Sequence, residues 1–362
     1  MPLGGGGASR VDESSLHRKK ILHPCQTGTS SMRDISVREA FTMKKFTKTG
    51  IAALASAAAF ALTTAASAQT VSIGTLPTGS LAYGIAAACA KVISDKSGMT
   101  TRAVGFGGSN IFIPQVDQGK IEMSTANAIE AHFAKDGTGT FPGHKHPNLR
   151  ALARLFEFQT GFMVKKDSSF QKVADFKGQS FPSGFTSQKI VEIMVSAVFA
   201  AEGMGWGDIK PVPVPNFVRG TDELVAGKVV ASFLAPGSAI VKKANASAGI
   251  RFLSLEASPE KEKKIQTIAP GMYYTTVKPS KQLPYIEKPT TMMGFDYLIL
   301  AGKHVSDEVA YKAAKALHAN KEALIAGHGV FRTFDPKNMA KKGVGVDYHP
   351  GAMKFYKEAG IL

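Results

Sequence analysis

Polar and apolar residues alternate over Thr70–Gly74, and after the turn GTLPTGSLAYG the stretch Ile85–Ser94, rich in Ala, Val and Ile with no Gly or Pro inside it, opens a helix that runs to about Lys96. Alternation with period two marks a half-buried strand, and a mainly apolar stretch of that length marks a buried helix. The pattern then repeats. Thr101–Gly105 leads into GGSN and IFIPQVDQG, and Ile121–Thr125 ends near Asn127 ahead of another helix. LRALARLF and FQTGFMVKK, from Leu149 to Lys166, read as consecutive strands that carry the chain into a second half. That half repeats the first, with a strand before Ser183-Gly184-Phe185-Thr186-Ser187 and a helix from Ser187 to Ala201. A strand Val229–Leu234 follows, before the turn Ala235-Pro236-Gly237-Ser238. The last third returns through YYTTV and GFDYLILAGK to a helix from Ser306 to Ala319, where Val309, Ala313 and Leu317 share a face. Alternating strand and helix signals predict a parallel-type sheet covered by helices.

Strand-to-helix turns rich in Gly and Ser leave backbone N–H groups free at a helix start, where the helix dipole favours an anion or a polar head. Ligands of α/β sheets gather at the carboxyl ends of the strands. Five such turns supply the candidate ligand-binding residues: Thr75, Gly79, Ser80 and Tyr83; Gly108, Ser109 and Asn110; Asn127; and, in the second half, Ser183, Thr186 and Ser187, then Pro236, Gly237 and Ser238. Taken singly, each hydroxyl reads first as an N-cap. Their recurrence in two similar halves points to one small-molecule pocket.

Sharper motifs fail on spelling. Gly79 is followed by Ser80 and Leu81, so the P-loop lysine is missing, and GFGGSN lacks the third glycine of a dinucleotide fingerprint. No G-x-S-x-G or H-E-x-x-H occurs, which argues against a secreted hydrolase. His144 and His146, in the loop Asp136–Asn148, have no Cys or carboxylate cluster to complete a metal site and read as solvated loop residues. No cofactor or metal is expected.

The apolar run at the N-terminus has a different meaning. MKKFTKTG from Met43, the segment IAALASAAAFALTTA and Ala66-Ser67-Ala68 form the basic, apolar and cleavage regions of a secretory signal peptide over residues 43–68. The expected mature protein begins at Gln69 in the periplasm, and residues 1–42 read as a mis-annotated or disordered extension ahead of the true start at Met43. Residues 1–68 carry nine Lys/Arg and four Asp/Glu of the chain's 44 and 28, which leaves 35 against 24, a net +11. That charge draws anions towards the protein. The lysines are dispersed and accompany no binding motif, so nucleic acid is not the partner. Cys25 falls before the cleavage site, and Cys89 is left alone in an alanine-rich helix, where burial explains it better than catalysis.

The set GTLPTGSLAYGIAAACAKVI, GGSN, RALARLF…FMVKKDSSFQKVADFKGQ, ELVAGKVVASFLAPGSA and the terminal HPGAMKFYKEAG resembles the TAXI-type periplasmic solute receptors of TRAP transporters, in order and over the whole mature chain. The resemblance implies a two-lobed, type II-like periplasmic binding protein with a hinge, a monomer that closes on a small organic acid or a glutamate-like amino acid. It implies delivery of that solute to a TRAP-type membrane permease, with no chemistry of its own. A receptor of an ABC-type importer, or a sensor, would use the same lobes. The lobes are expected at 69–160 with 284–362, and at 161–283. Two departures touch the ligand: Leu81-Ala82-Tyr83 keeps one tyrosine where the family pairs two, and Thr125-Ala126-Asn127 stands where the family often has Gln-Ser-Asp. Arg219 is the nearest candidate for a carboxylate clamp and reads as a surface residue. Trp206, the only tryptophan, falls in the second lobe and is the natural fluorescent reporter of closure.

Overall fold

The computed structural model describes residues 70–362; the expected leader, its cleavage site and the preceding extension lie outside the described residues. Three strand–helix units open the chain. They are β1 (Thr70–Thr75) with α1 (Leu81–Ser97), β2 (Thr100–Gly105) with α2 (Ser109–Asp117), and β3 (Met123–Asn127) with α3 (Ala128–Asp136). β1 lies between β2 and β3 and is parallel to both. Each helix start is locally encoded: Ser80 Oγ accepts from Tyr83 N at 3.0 Å, and Asn127 Oδ1 accepts from Glu130 N at 2.7 Å. Such caps satisfy amide groups that the first turn of a helix leaves without partners.

The sheet is mixed, which corrects the parallel expectation. β10 (Thr290–Gly302) returns from far along the chain, inserts between β3 and β4 (Leu149–Lys165), and runs antiparallel to both. A second correction concerns β4. LRALARLF and FQTGFMVKK form one strand of 17 residues, because Glu157–Gln159 holds no turn-forming residue to part them. β4 pairs with β10 up to Thr160, and from Gly161 with β7 (Ala231–Leu234) and then β8 (Ile250–Phe252). β9 (Tyr273–Val277) pairs with the first half of β10. These two long strands therefore pass from one lobe into the other, in opposite directions.

The second lobe adds a parallel pair, β5 (Ser180–Ser183) and β6 (Lys210–Pro213), tied to β7 by Val230 N donating to Ser180 O at 3.0 Å. Its helices are α4 (Lys189–Ala201), α5 (Phe217–Val225), α6 (Ala239–Ala248) and α7 (Pro259–Ile268). Phe162 at the core of this lobe stacks on Phe199 and meets Phe233 at 4.9 Å between ring centroids. The chain returns to the first lobe for α8 (Asp307–Ala319), α9 (Lys321–Gly327) and α10 (Pro350–Glu358). Val309, Ala313 and Leu317 are buried together, as their spacing predicts.

The terminal HPGA is a packing device. His349 Nδ1 accepts from Gly351 N at 3.2 Å, and its Nε2 lies 2.9 Å from Val305 O. A Cβ on Gly351 would sit 2.1 Å from the Asp307 carbonyl oxygen, so only glycine lets α10 approach α8 this closely. Cys89 is fully buried, and burial pushes its thiol pKa up, which holds the sulfur protonated and inert.

Candidate functional site: the cavity between the lobes

Six strands end at one place. Leu76 and Ser80 follow β1, Ser109 follows β2 and Asn127 closes β3; Gln188 follows β5, Phe217 follows β6 and Ser238 follows β7. All seven line a cavity of about 60 Å³ between the lobes. Six helix starts, three from each lobe, thus converge on one space. Its walls are mainly apolar, with Leu81, Phe112 and Phe158 contributed by the first lobe and Met194, Phe217 and Phe233 by the second. No lysine or arginine lines it.

Glu130 brings the one carboxyl to this cavity, and no sequence motif marks it as a site residue. It is 1% exposed, and its carboxyl lines the cavity. Ser109 Oγ donates to Oε1 at 2.5 Å and Asn127 Nδ2 donates to Oε2 at 2.6 Å. Burial pushes the Glu130 pKa up to about 7, and the hydrogen bonds from Ser109 and Asn127 pull it back only in part. The Asn127-x-x-Glu130 spacing is a capping signature visible in the sequence. What the sequence hides is that Ser109, one strand away, closes the same carboxyl off from water.

Among the described residues, two hydroxyls in the wall have no side-chain hydrogen-bond partner. Thr160 Oγ1 is buried without a hydrogen bond, and Ser238, 1% exposed, caps α6 without a side-chain bond. Gln188 Oε1 accepts from Phe217 N at 3.3 Å, which leaves its Nε2 for the cavity. Buried polar atoms normally find partners, so unpaired ones in a cavity wall mark places for ligand atoms.

The candidate residues divide into three groups. Ser80, Ser109, Asn127 and Ser238 line the cavity. Gly79, Gly108, Asn110 and Ser187 clamp the lobes together across its rim: Gly79 O accepts from Ile240 N at 3.2 Å, Asn110 Oδ1 accepts from Lys189 N at 3.4 Å, and Gly108 packs on the Ser187 carbonyl. The rest stand elsewhere. Thr75 is wholly buried and its hydroxyl accepts from Thr125 at 3.0 Å, tying β1 to β3. Tyr83 is half-buried with its ring beside Gly105, Ser183 is buried within β5, and Thr186 is exposed. Pro236 and Gly237 face a second, outer cleft. Arg219 pairs with Glu223 at 2.8 Å on the surface of α5, away from the cavity.

His146 corrects the reading of both loop histidines as solvated. It is 8% exposed, with Nδ1 3.3 Å from Asp117 Oδ2 and its ring edge-on to Phe141, because the loop folds back on α3 through His146 N to Ala134 O at 2.7 Å. His144 is exposed. Among the described residues no three of His, Cys, Asp and Glu stand together to hold a metal, and no helix is long and apolar enough to cross a membrane.

Trp206 packs on Phe181 and Phe199, and its Nε1 donates to Ser196 Oγ at 2.7 Å, all within the second lobe. Its emission should therefore stay flat through a solute titration that calorimetry shows to saturate. A change that tracks saturation would show that closure rearranges the interior of that lobe.

Two lobes joined by antiparallel crossing strands, with a cavity between them at the strand ends, define the two-lobed α/β fold of type II-like periplasmic binding proteins. Residues 73–360 match the model of the NMT1-like family, and the chain belongs to that family. MatC from Rhodopseudomonas palustris, solved with bound malate, superposes with a TM-score of 0.53 at 10% identity, covering 81% of this chain and 97% of that one. The periplasmic binding protein BugD superposes with a TM-score of 0.51 at 12% identity, covering 81% and 98%. At these identities the likeness is one of fold.

Proposed function

We propose that this protein is an extracytoplasmic solute receptor, which closes two lobes on a small organic acid and passes it to a membrane permease. One observation carries the reading: a cavity walled by the starts of six helices, three from each lobe, with the lobes touching at its rim. We place the lobe boundaries within the two crossing strands, near Thr160 of β4 and near its partner Met293 of β10, where β4 leaves β10 for β7. The signal-peptide pattern at 43–68 supports a periplasmic location. The resemblance of the sequence to TAXI receptors supports a TRAP-type permease, and the same lobes serve ABC-type importers; the permease encoded beside the gene separates the two.

The cavity refines the solute. Glutamate carries three charges on a short chain, and an apolar wall of small volume would strip water from all of them without a counter-charge. An organic acid with an apolar body suits the phenylalanine and leucine surface, with Thr160 and Ser238 for a hydroxyl or carbonyl. Mass spectrometry of ligand released by denaturing purified protein tests this directly. The expected result is a stoichiometric acid with an apolar body, bound again by the refolded protein without turnover. Conversion of that compound to a product would overturn the receptor reading.

A further inference from the structure

A second space lies outside the first. It has a volume of about 760 Å³, and Leu81 and Phe158 line both, so those two side chains form the partition between them. The first lobe contributes Arg154, Glu157, His328 and Arg332 to it, and the second contributes Lys242. A volume of several hundred Å³ is that of a small-molecule site.

Its charges are unevenly committed. Arg154 is turned to Asp296 through Nε at 2.9 Å and Nη2 at 2.8 Å. Glu157 Oε1 accepts from Thr275 at 2.6 Å and from Gln159 at 3.0 Å. Among the described residues neither Lys242 nor Arg332 stands in an ion pair, and Arg332 reaches only the Gly329 carbonyl, at 3.5 Å. His328 Nδ1 accepts from Val330 N at 3.3 Å, which leaves its Nε2–H as a donor. Burial, with Lys242 close by, lowers the His328 pKa, so its ring is a neutral donor at pH 7. The outer cleft therefore presents two cations without carboxylate partners among the described residues and a free N–H, beside the Glu157 carboxylate held by neutral donors, whereas the inner cavity offers no cation and one carboxyl.

We propose that Lys242, His328 and Arg332 form an oxyanion site in the outer cleft, which holds the acidic group of the solute while its apolar body passes the Leu81–Phe158 partition into the inner cavity. The division of the solute rests on the receptor reading above; the anion site does not. Carboxylate, sulfonate and phosphate groups share the chemistry that these side chains recognise. An anion there also offsets the repulsion between Lys242 of the second lobe and Arg332 of the first, so it favours the closed state.

The test uses the mature protein with the His328 ring observed by NMR at constant pH. Inorganic phosphate should shift the His328 resonances saturably, and Lys242→Gln with Arg332→Gln should weaken that response by about tenfold or more, since charge-assisted contacts are the strong ones. Both substituted side chains are exposed, so the fold is retained. No saturable shift in the wild type, or the same shift in the double variant, overturns the anion site. The second arm compares 3-phenylpropionate with 3-phenylpropanol. The acid should displace phosphate at His328 and perturb Phe158 together, and the alcohol should not reach His328. Phosphate binding without displacement by the acid leaves a site for free inorganic anions only and overturns the division of the solute. A phosphate response in a protein whose lobes close on no solute would keep the anion site and reject the receptor reading.

Discussion

Gly108→Ala should leave the fold intact and hold the lobes apart, reducing solute affinity by about a hundredfold or more, because a closed state that cannot form contributes no contacts from the second lobe. The backbone of Gly108 is extended at φ −173°, a conformation open to any residue, so alanine costs nothing within its own lobe. The obstacle lies across the cleft. A Cβ here would stand 1.4 Å from the Ser187 carbonyl oxygen, 2.4 Å from its carbonyl carbon and 2.8 Å from Gln188 Cα. All three atoms are backbone, and no rotamer change relieves the clash. Small-angle scattering with saturating solute should show the wild type contracting and the variant unchanged, with identical circular dichroism. Gly107→Ala is the graded control, since its Cβ would meet the Ser187 Cβ at 3.2 Å and ask for a shift of only a few tenths of an ångström. A Gly108→Ala protein that contracts and binds as the wild type does would show that the lobes meet elsewhere when solute is bound.

The second large effect is on stability against pH. The Glu130 pKa stands at about 7 in the folded protein against 4.5 for a free side chain, with burial as the cause. Between those values the folded state holds a proton that the unfolded chain has lost. Stability therefore falls as pH rises from about 4.5 towards 7 and stays lower above it. At about 1.4 kcal/mol per pK unit the loss is of the order of 3 kcal/mol. The groups around the carboxyl do not reverse this. Ser109 and Asn127 are neutral donors, and the Tyr297 hydroxyl, itself pushed up by burial, stays protonated. Glu130→Gln should remove this component, so that the difference in melting temperature between pH 5 and pH 8 shrinks. An unchanged slope in the variant would place the titration on another group. Glu130→Ala should instead destabilise at every pH, because it leaves the buried donors of Ser109 and Asn127 unsatisfied at about 1–3 kcal/mol each.

The two variants sit at opposite ends of what the chain reveals by itself. Gly108 and Glu130 lie beside recognisable helix starts, and the strand–turn–helix units around them were legible from alternation, capping residues and the glycine of each turn. Asn127 was readable as a cap because its partner, Glu130 N, is three residues away. The mixed character of the sheet was not readable, because β10 enters between β3 and β4 from more than 130 residues further on. Nor was the burial of His146, which depends on Asp117 of α2 and on the loop folding over α3.

The sequence by itself determined the α/β class, the succession of strands and helices, and the row of hydroxyls and amides at the helix starts. Those features rest on periodicity and on contacts within a few residues, which local composition encodes. Only the tertiary structure decided what each of those groups faces. Thr75 turned inward to Thr125, Asn110 and Ser187 went to the clamp, and Ser80 and Ser238 went to the cavity, although all began as similar polar residues in similar turns. The difference is set by the order of strands and the closure of one lobe on the other, and both depend on contacts between residues far apart along the chain. The same long-range packing made the cavity apolar, buried Glu130 within it and left Lys242 and Arg332 to the cleft outside.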